Sequence, residues 1–516
     1  MKRSRNGTFA LVSVCVLLMA APALADVRLP KIIGDHMVLQ QGTSAPIWGW
    51  ADPGEKVTVS LGPCKATATA CERGKWKVKL DAMEAGGPHR ITIQGNNTIT
   101  LEDVLVGEVW AASGQSNMQF SVGASNNAQE EIAAADYPKM RLFTVARKTA
   151  DTPMDDCEGS WVACTPETVP GFSAVAYFFG RYLHKELDLP VGLINTSWGG
   201  TPAEAWTSLD AQQDVPELAP TVARWNQQIA QYDPEAARQG YEKAMEAWKQ
   251  AAEKAKAEGK PAPPQPRAPV NPADSPHRPA SLYNGMIAPV IPFAVRGAIW
   301  YQGESNASRA EQYRTLFPAM INNWRDKWGQ GDFAFLFVQL APYRYGGLDP
   351  RCLAEVWEAQ VRTLDLPNTG MAVTTDVADI KDIHPKNKQD VGCRLALWAL
   401  AKTHGKDLVY SGPLYESMSA EGDKIRIRFK HVGGGLVAKD GPLSHFTIAG
   451  KDGEFVPAAA TIDGQTIVVQ SDQVKEPAAV RFGWTDTAEP NLFNQEGLPA
   501  SPFRTDDFEL VTAGAR

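Results

Sequence analysis

The stretch VLVGEVWAASGQSNMQF, Val104–Phe120, runs from an apolar segment straight into a turn of small and polar residues. It reads as a strand that feeds a sharp turn and then a helix. A serine on such a turn, with small neighbours, presents its hydroxyl to a cleft and lets nearby backbone N–H groups receive an oxyanion. Ser116 occupies that place, although capping a helix is the plain alternative use of Ser116 or Asn117.

Downstream, the same texture repeats. The segments RLFTVA, VGLINTSWGG, GAIWYQGES, FAFLFVQLAP and TGMAVTTDV read as apolar strands. Between and after them, AVAYFFGRYLHKEL, YRTLFPAMINNWRDKW and VGCRLALWALAKTHG read as amphipathic helices. Strands alternating with helices imply βαβ units and a parallel sheet, an α/β fold class in which ligands sit beyond the carboxyl ends of the strands. The loops that follow each strand are therefore where chemistry is expected.

On both sides of this region the pattern is different. Residues 26–104 alternate apolar and polar positions over short runs such as KVTVSL and KWKVKL, which predicts a small β-sandwich-like domain. Residues 410–516 return to that texture in KIRIRFK and TIVVQS and predict a second β-rich domain. A catalytic α/β domain is thus expected over 105–409. Within it, an insertion at about 214–280 is rich in Ala, Glu and Lys and then in proline, and reads as a charged surface helix leading into an extended connection. It is either a solvated excursion or a wall over the site.

The first 25 residues carry a basic start, a short apolar stretch and the small-residue site Ala23-Leu24-Ala25, which predicts a secretory signal peptide and an exported protein, periplasmic or extracellular. No later stretch approaches the roughly 18 apolar residues of a spanning helix, so no membrane association is expected after cleavage. The 516 residues, 44% hydrophobic, are too many for one ordinary core. A net charge of −8 without clusters argues against nucleic acid as a partner. Of seven cysteines, Cys15 leaves with the leader. The remaining six suggest local disulfides, Cys64 with Cys71 and Cys157 with Cys164, leaving Cys352 with Cys393. No CxxC or His-rich cluster points to zinc.

A serine nucleophile needs a base. Among the eight histidines, His384 lies in a loop after the strand TGMAVTTDV and before a helix, with Asp382 two residues earlier to orient the imidazole and stabilise its protonated form. Two other strand ends carry polar groups suited to a site. Gly199 and Gly200 allow close backbone approach to a substrate. Gln302, Glu304, Ser305 and Asn306 are a costly polar set unless they bond to one another or to a ligand.

These blocks, GQSNM at Gly114–Met118, YQGESNA at Tyr301–Ala307 and DIHPKNK at Asp382–Lys388, resemble those of the sialate O-acetylesterase family within the SGNH hydrolases. The opening LPKIIGDHMVLQQGTSAPIWGWADPGEKVTV and the tail NLFNQEGLPASPFRTD are similar to that family too. The resemblance implies a flavodoxin-like, three-layer α/β/α core with β-rich flanks, and cofactor-free hydrolysis of O-acetyl esters on sugars. It implies Ser116 as nucleophile, His384 as general base and Gly199 in the oxyanion hole. Two departures stand out. Many SGNH hydrolases place Asp three residues before the His, where this chain has Lys381, so Glu304, Asp379 or a backbone carbonyl are alternatives to Asp382. The usual third-block asparagine is also displaced, which favours Gln302 as side-chain oxyanion donor, with Asn306 second.

The sugar is not legible. A sialic acid calls for an arginine such as Arg278, Arg309 or Arg344, whereas acetylated xyloglucan or xylan calls for aromatic platforms, for which Trp198, Trp206, Trp225, Trp248, Trp300, Tyr301 and Tyr343 are candidates. A carbohydrate-binding protein without activity is the rival class. Ser116, His384 and the polar third block together argue against it.

Overall fold

The computed structural model describes residues 26–516; the expected signal peptide lies outside the described residues. Its organising element is the 17-residue strand β1, Thr98–Gly114. The first half of β1 pairs antiparallel with Gly86–Gln94 of the N-terminal region. The second half is buried on both faces and pairs in parallel with two other strands.

The remaining strands of the central sheet are β2 (Tyr137–Thr144), β3 (Trp161–Cys164), β4 (Val191–Asn195), β5 (Gly297–Tyr301), β6 (Ala334–Val338) and β7 (Thr369–Ala372). Their order is β7-β6-β5-β1-β4-β2-β3, parallel throughout except for the β2–β3 pair. Taken by themselves, β1, β4, β5, β6 and β7 follow the flavodoxin-like order 2-1-3-4-5, and β2 with β3 extends one edge. The chain reverses its direction of travel across the sheet at β1, so the crevice beyond its carboxyl end is the topological switch point.

Helices cover both faces. Trp110 of β1 meets Phe179 of the helix Ala174–Leu187 at 4.9 Å between ring centroids. Trp300 of β5 is in register with Ser113, three residues from Trp110 and hence on the opposite face. There it packs against Phe317 and Trp324 of the helix Ala310–Trp328. This is the expected α/β/α sandwich.

One apolar cluster runs from Val27 to Leu414. The N-terminal β region therefore shares its core with the α/β domain, and the boundary expected at 104/105 falls inside β1. A continuous strand carries the pairing of both regions, and sequence texture alone does not reveal that. The C-terminal β region has its own cluster, built on Ile427, Phe446, Ile448, Val469, Val480 and Phe482. It docks on the α/β domain through polar contacts, among them buried Glu355, which accepts from the backbone N–H groups of Val511 and Thr512 and from the Thr512 hydroxyl.

The insertion contains the helices Ala219–Gln231 and Pro234–Ala257, the second without a buried residue. Asp233 caps that second helix by accepting from Glu235 and Ala236. The proline-rich return lies along it, with the Trp248 indole donating to the Pro263 carbonyl at 2.8 Å.

The disulfide expectation is corrected. All six cysteines among the described residues are free thiols. Cys64 begins the strand Cys64–Thr69 and Cys71 lies just past its end. At about 3.3 Å per residue, an extended segment of this length separates the two far beyond the roughly 6 Å a disulfide spans between Cα atoms.

Candidate active site

Strand β1 ends at Gly114, whose φ of +136° and close approach to β5 leave no room for a side chain: a Cβ there would lie 2.2 Å from the Tyr301 carbonyl oxygen. The chain then turns into the short helix Ser116–Gln119, anchored by the Gln115 N–H donating to Tyr301 O. As the first amide of that helix, the N–H of Ser116 has no intrahelical acceptor. The Ser116 side chain is half-buried at the mouth of the crevice.

His384 comes from the loop after β7. Its Nε2 lies 2.8 Å from Ser116 Oγ, although 268 residues separate them. In the neutral imidazole that carries its proton on Nδ1, Nε2 accepts the serine proton. Phe120 stacks beside the imidazole at 6.3 Å and 23°. Partial burial holds His384 below the ordinary imidazole range; Asp382 opposes that shift and Lys388 adds to it.

The other expected residues divide into those at the site and those used elsewhere. Asp382 is near but not bonded to the ring: Oδ1 is 3.7 Å from Nδ1, and instead accepts the His384 backbone N–H at 2.9 Å. The alternative Asp379 accepts from the Lys381 N–H and shapes the same loop. Gly199 lies against Ser116, where a Cβ would stand 3.2 Å from Ser116 Cβ. Its N–H donates to Gln119 Oε1 at 2.7 Å.

Gln302 does not face the crevice with free donors. It is fully buried, its amide donates to Thr201 O and Asn306 Oδ1, and its carbonyl accepts from Tyr313. Asn306 is likewise used up, accepting from Ala203 N and donating to Glu204. Both support the loops behind the site, which corrects the expectation of a side-chain oxyanion donor in this block. The polar set after β5 has bonded within the protein, the cheaper of the two ways to bury it.

Glu304 is at the site, through a partner the sequence reading passed over. Its Oε1 accepts from Asn117 Nδ2 at 2.7 Å, and the same Nδ2 donates to Ile383 O at 2.9 Å. Asn117 Oδ1 accepts from Lys388 Nζ at 2.6 Å. Lys388 has no exposed surface. Both residues stand inside the quoted blocks, one beside Ser116 and the other four after His384. A lysine opening the helix Lys388–Trp398, four residues after His384, was the available signal.

Beside this centre lies a cavity of about 390 Å³ lined by Gly200, Glu204, Ser305, Arg224, Trp225 and His277. Gly200 and Ser305 adjoin Gly199 and Glu304, while Arg224, Trp225 and His277 belong to the insertion. Arg309 on its rim pairs with Glu204. Among the described residues, Arg224 pairs with no carboxylate side chain and donates to the Arg516 backbone oxygen. Of the other candidates, Arg278 pairs with Asp151, and Trp206, Trp300 and Tyr301 are fully buried core.

A family model described as carbohydrate esterase, sialic acid-specific acetylesterase, matches residues 275–400, a span that includes the β5 block and His384. A rat sialate O-acetylesterase is 34% identical over 75% of this chain and 76% of its own length. The human sialate O-acetylesterase is 30% identical over 92% of both. The chain belongs to the sialate O-acetylesterase family. A crystal structure of a carbohydrate acetylesterase from Xanthomonas citri is 36% identical, covers 94% of this chain and all of its own, and superposes with a TM-score of 0.80. This family member is a carbohydrate O-acetylesterase with the SGNH-like fold.

Proposed function

We propose that the enzyme removes O-acetyl groups through an acetyl-serine intermediate on Ser116. The observation that carries the proposal is the 2.8 Å contact between Ser116 Oγ and His384 Nε2 in a solvent-accessible crevice. His384 takes the hydroxyl proton as Oγ bonds to the acetyl carbon. The backbone N–H groups of Ser116 and Gly199 stabilise the oxygen of the tetrahedral intermediate. Gln119 Oε1, now on the Gly199 N–H, holds the place of that oxygen and moves aside when substrate binds. The ester C–O bond breaks, and His384 returns the proton to the departing sugar oxygen. Water, deprotonated by His384, then attacks the acetyl carbon, releasing acetate and restoring the serine.

The base must be neutral. Because burial holds His384 below its ordinary value of 6.5, the acid limb of kcat/KM falls below pH 6.5 and activity is complete at neutral pH.

For the sugar, we infer an O-acetylated sialic acid. Arg224 in the adjoining cavity offers a guanidinium to the sugar carboxylate, and the curated relatives are sialate O-acetylesterases. Acetylated xyloglucan or xylan oligosaccharide is the second reading, supported by the half-exposed Trp225 as a stacking face. The leader-like N-terminus supports action outside the cytoplasm.

The test is acetate release from O-acetyl sialic acids, xyloglucan and xylan oligosaccharides, and p-nitrophenyl acetate, with Ser116→Ala as control. The variant is expected to lose nearly all activity on every substrate. Hydrolysis at the parent rate would remove Ser116 from the mechanism.

A further inference from the structure

The polar groups buried under Ser116 and His384 take no part in the chemistry described above, and their arrangement calls for an account. Asn117 uses one amide to reach three chain segments. Its Nδ2 donates to Glu304 Oε1 after β5 and to the carbonyl of Ile383, the residue before His384, and its Oδ1 accepts from Lys388. The Lys388 ammonium also lies over the rings of Phe120, at 4.9 Å, and Tyr301, at 5.4 Å. Phe120 in turn stacks on His384. Glu304 Oε2, also buried, has no hydrogen-bond partner among the described residues.

A buried cation and carboxylate bridged through an amide are expensive to desolvate, and apolar residues of the same volume often serve stability as well or better. Burial draws the Lys388 ammonium down to about 7 and pushes the Glu304 carboxyl up, as expected for charges removed from water and only partly compensated. Stability therefore does not account for the cluster, whereas its connections do. The residues it links are the immediate neighbours of the nucleophile and of the base.

We propose that Lys388, Asn117 and Glu304 are positioning residues that hold the Ser116 turn and the His384 loop at hydrogen-bonding distance. The inference rests on Ser116 and His384 being nucleophile and base. Lys388 has a further electrostatic consequence. The charged groups facing His384 are Asp382 and Lys388, and those facing Lys388 are Glu304 and Asp382. In its protonated form Lys388 favours the neutral imidazole.

The experiment uses full-length Lys388→Met, Asn117→Asp and Lys388→Arg, with concentrations of competent sites set by the p-nitrophenyl acetate burst and folding checked by thermal unfolding. Lys388→Met is expected to lose about 100-fold in kcat, the scale of a misplaced reacting group, with KM within twofold of the parent and the acid limb of kcat/KM moved to higher pH. Lys388→Arg keeps the charge and recovers the parent acid limb. Asn117→Asp keeps the acceptor for Lys388 but loses both donors, and lowers kcat at unchanged KM. Folded Lys388→Met and Asn117→Asp with parent kcat and acid limb overturn the proposal. So does failure of both to fold, which would make the cluster a stability element. Ser116→Ala in parallel separates the two layers: full activity there defeats the nucleophile assignment, while an inactive Ser116→Ala beside a normal Lys388→Met defeats only the positioning role.

Discussion

Replacing Asp382 by Asn tests how far this site depends on the acid of a serine triad. The Asn side chain keeps an oxygen for the His384 backbone N–H, so the loop turn survives and only the charge is lost. At 3.7 Å from Nδ1 the carboxylate is beyond hydrogen-bond reach, and its side chain is 50% exposed. For a group so open to water the bulk dielectric is the appropriate limit, and a unit charge at that separation stabilises the imidazolium by about 1 kcal/mol. The expected loss in kcat is then about five- to sevenfold, set against about 10⁴-fold for a buried, bonded triad aspartate. Asp382 raises the affinity of His384 for its proton, so the acid limb of kcat/KM moves to lower pH in the variant. Steady-state kinetics with p-nitrophenyl acetate between pH 4.5 and 8 reads both quantities. A loss of a thousandfold or more would refute the reasoning and show that the working enzyme closes the Asp382–His384 distance.

Other expectations follow from single contacts. Gly199→Ala brings a methyl group 3.1 Å from Gln119 Oε1 and 3.2 Å from Ser116 Cβ, and is expected to cost about 10²-fold in kcat while Tm changes little; an unchanged kcat would move the oxyanion site elsewhere. Arg224→Gln removes a cavity guanidinium that is bonded to the Arg516 backbone oxygen and to no carboxylate side chain among the described residues, and should raise KM for O-acetyl sialic acid by about 10- to 100-fold, the worth of a charged hydrogen bond, while leaving p-nitrophenyl acetate kinetics alone. Equal effects on both substrates would exclude a carboxylate contact. Six free thiols predict that dithiothreitol leaves Tm unchanged, whereas a structural disulfide contributes about 2 to 4 kcal/mol and its reduction would lower Tm by several degrees.

Much of the architecture was legible because it follows from local periodicity. Apolar strands alternating with amphipathic helices leave few alternatives to a covered parallel sheet, and the carboxyl ends of such strands are where loops converge. Ser116, Gly199 and His384 stood out as residue types placed just after strands. Gln302 and Asn306 misled for a physical reason. A polar side chain behind a strand end reads the same whether it faces a ligand or satisfies neighbouring backbone, and here Thr201, Ala203 and Glu204 take up its bonds.

The sequence by itself determined the strand-and-helix alternation and the two β-rich flanks, and marked Ser116 and His384 as candidates, since each depends on near neighbours along the chain. The 2.8 Å approach of Ser116 to His384 was decided by tertiary structure. So were the sharing of one core by the N-terminal strands and the α/β domain, the free state of the thiols and the meeting of Glu304, Asn117 and Lys388. Each of these joins residues tens to hundreds of positions apart, or depends on how extended the chain is between them, and only the packed sheet, which brings the ends of β1, β4, β5 and β7 to one crevice, fixes such distances.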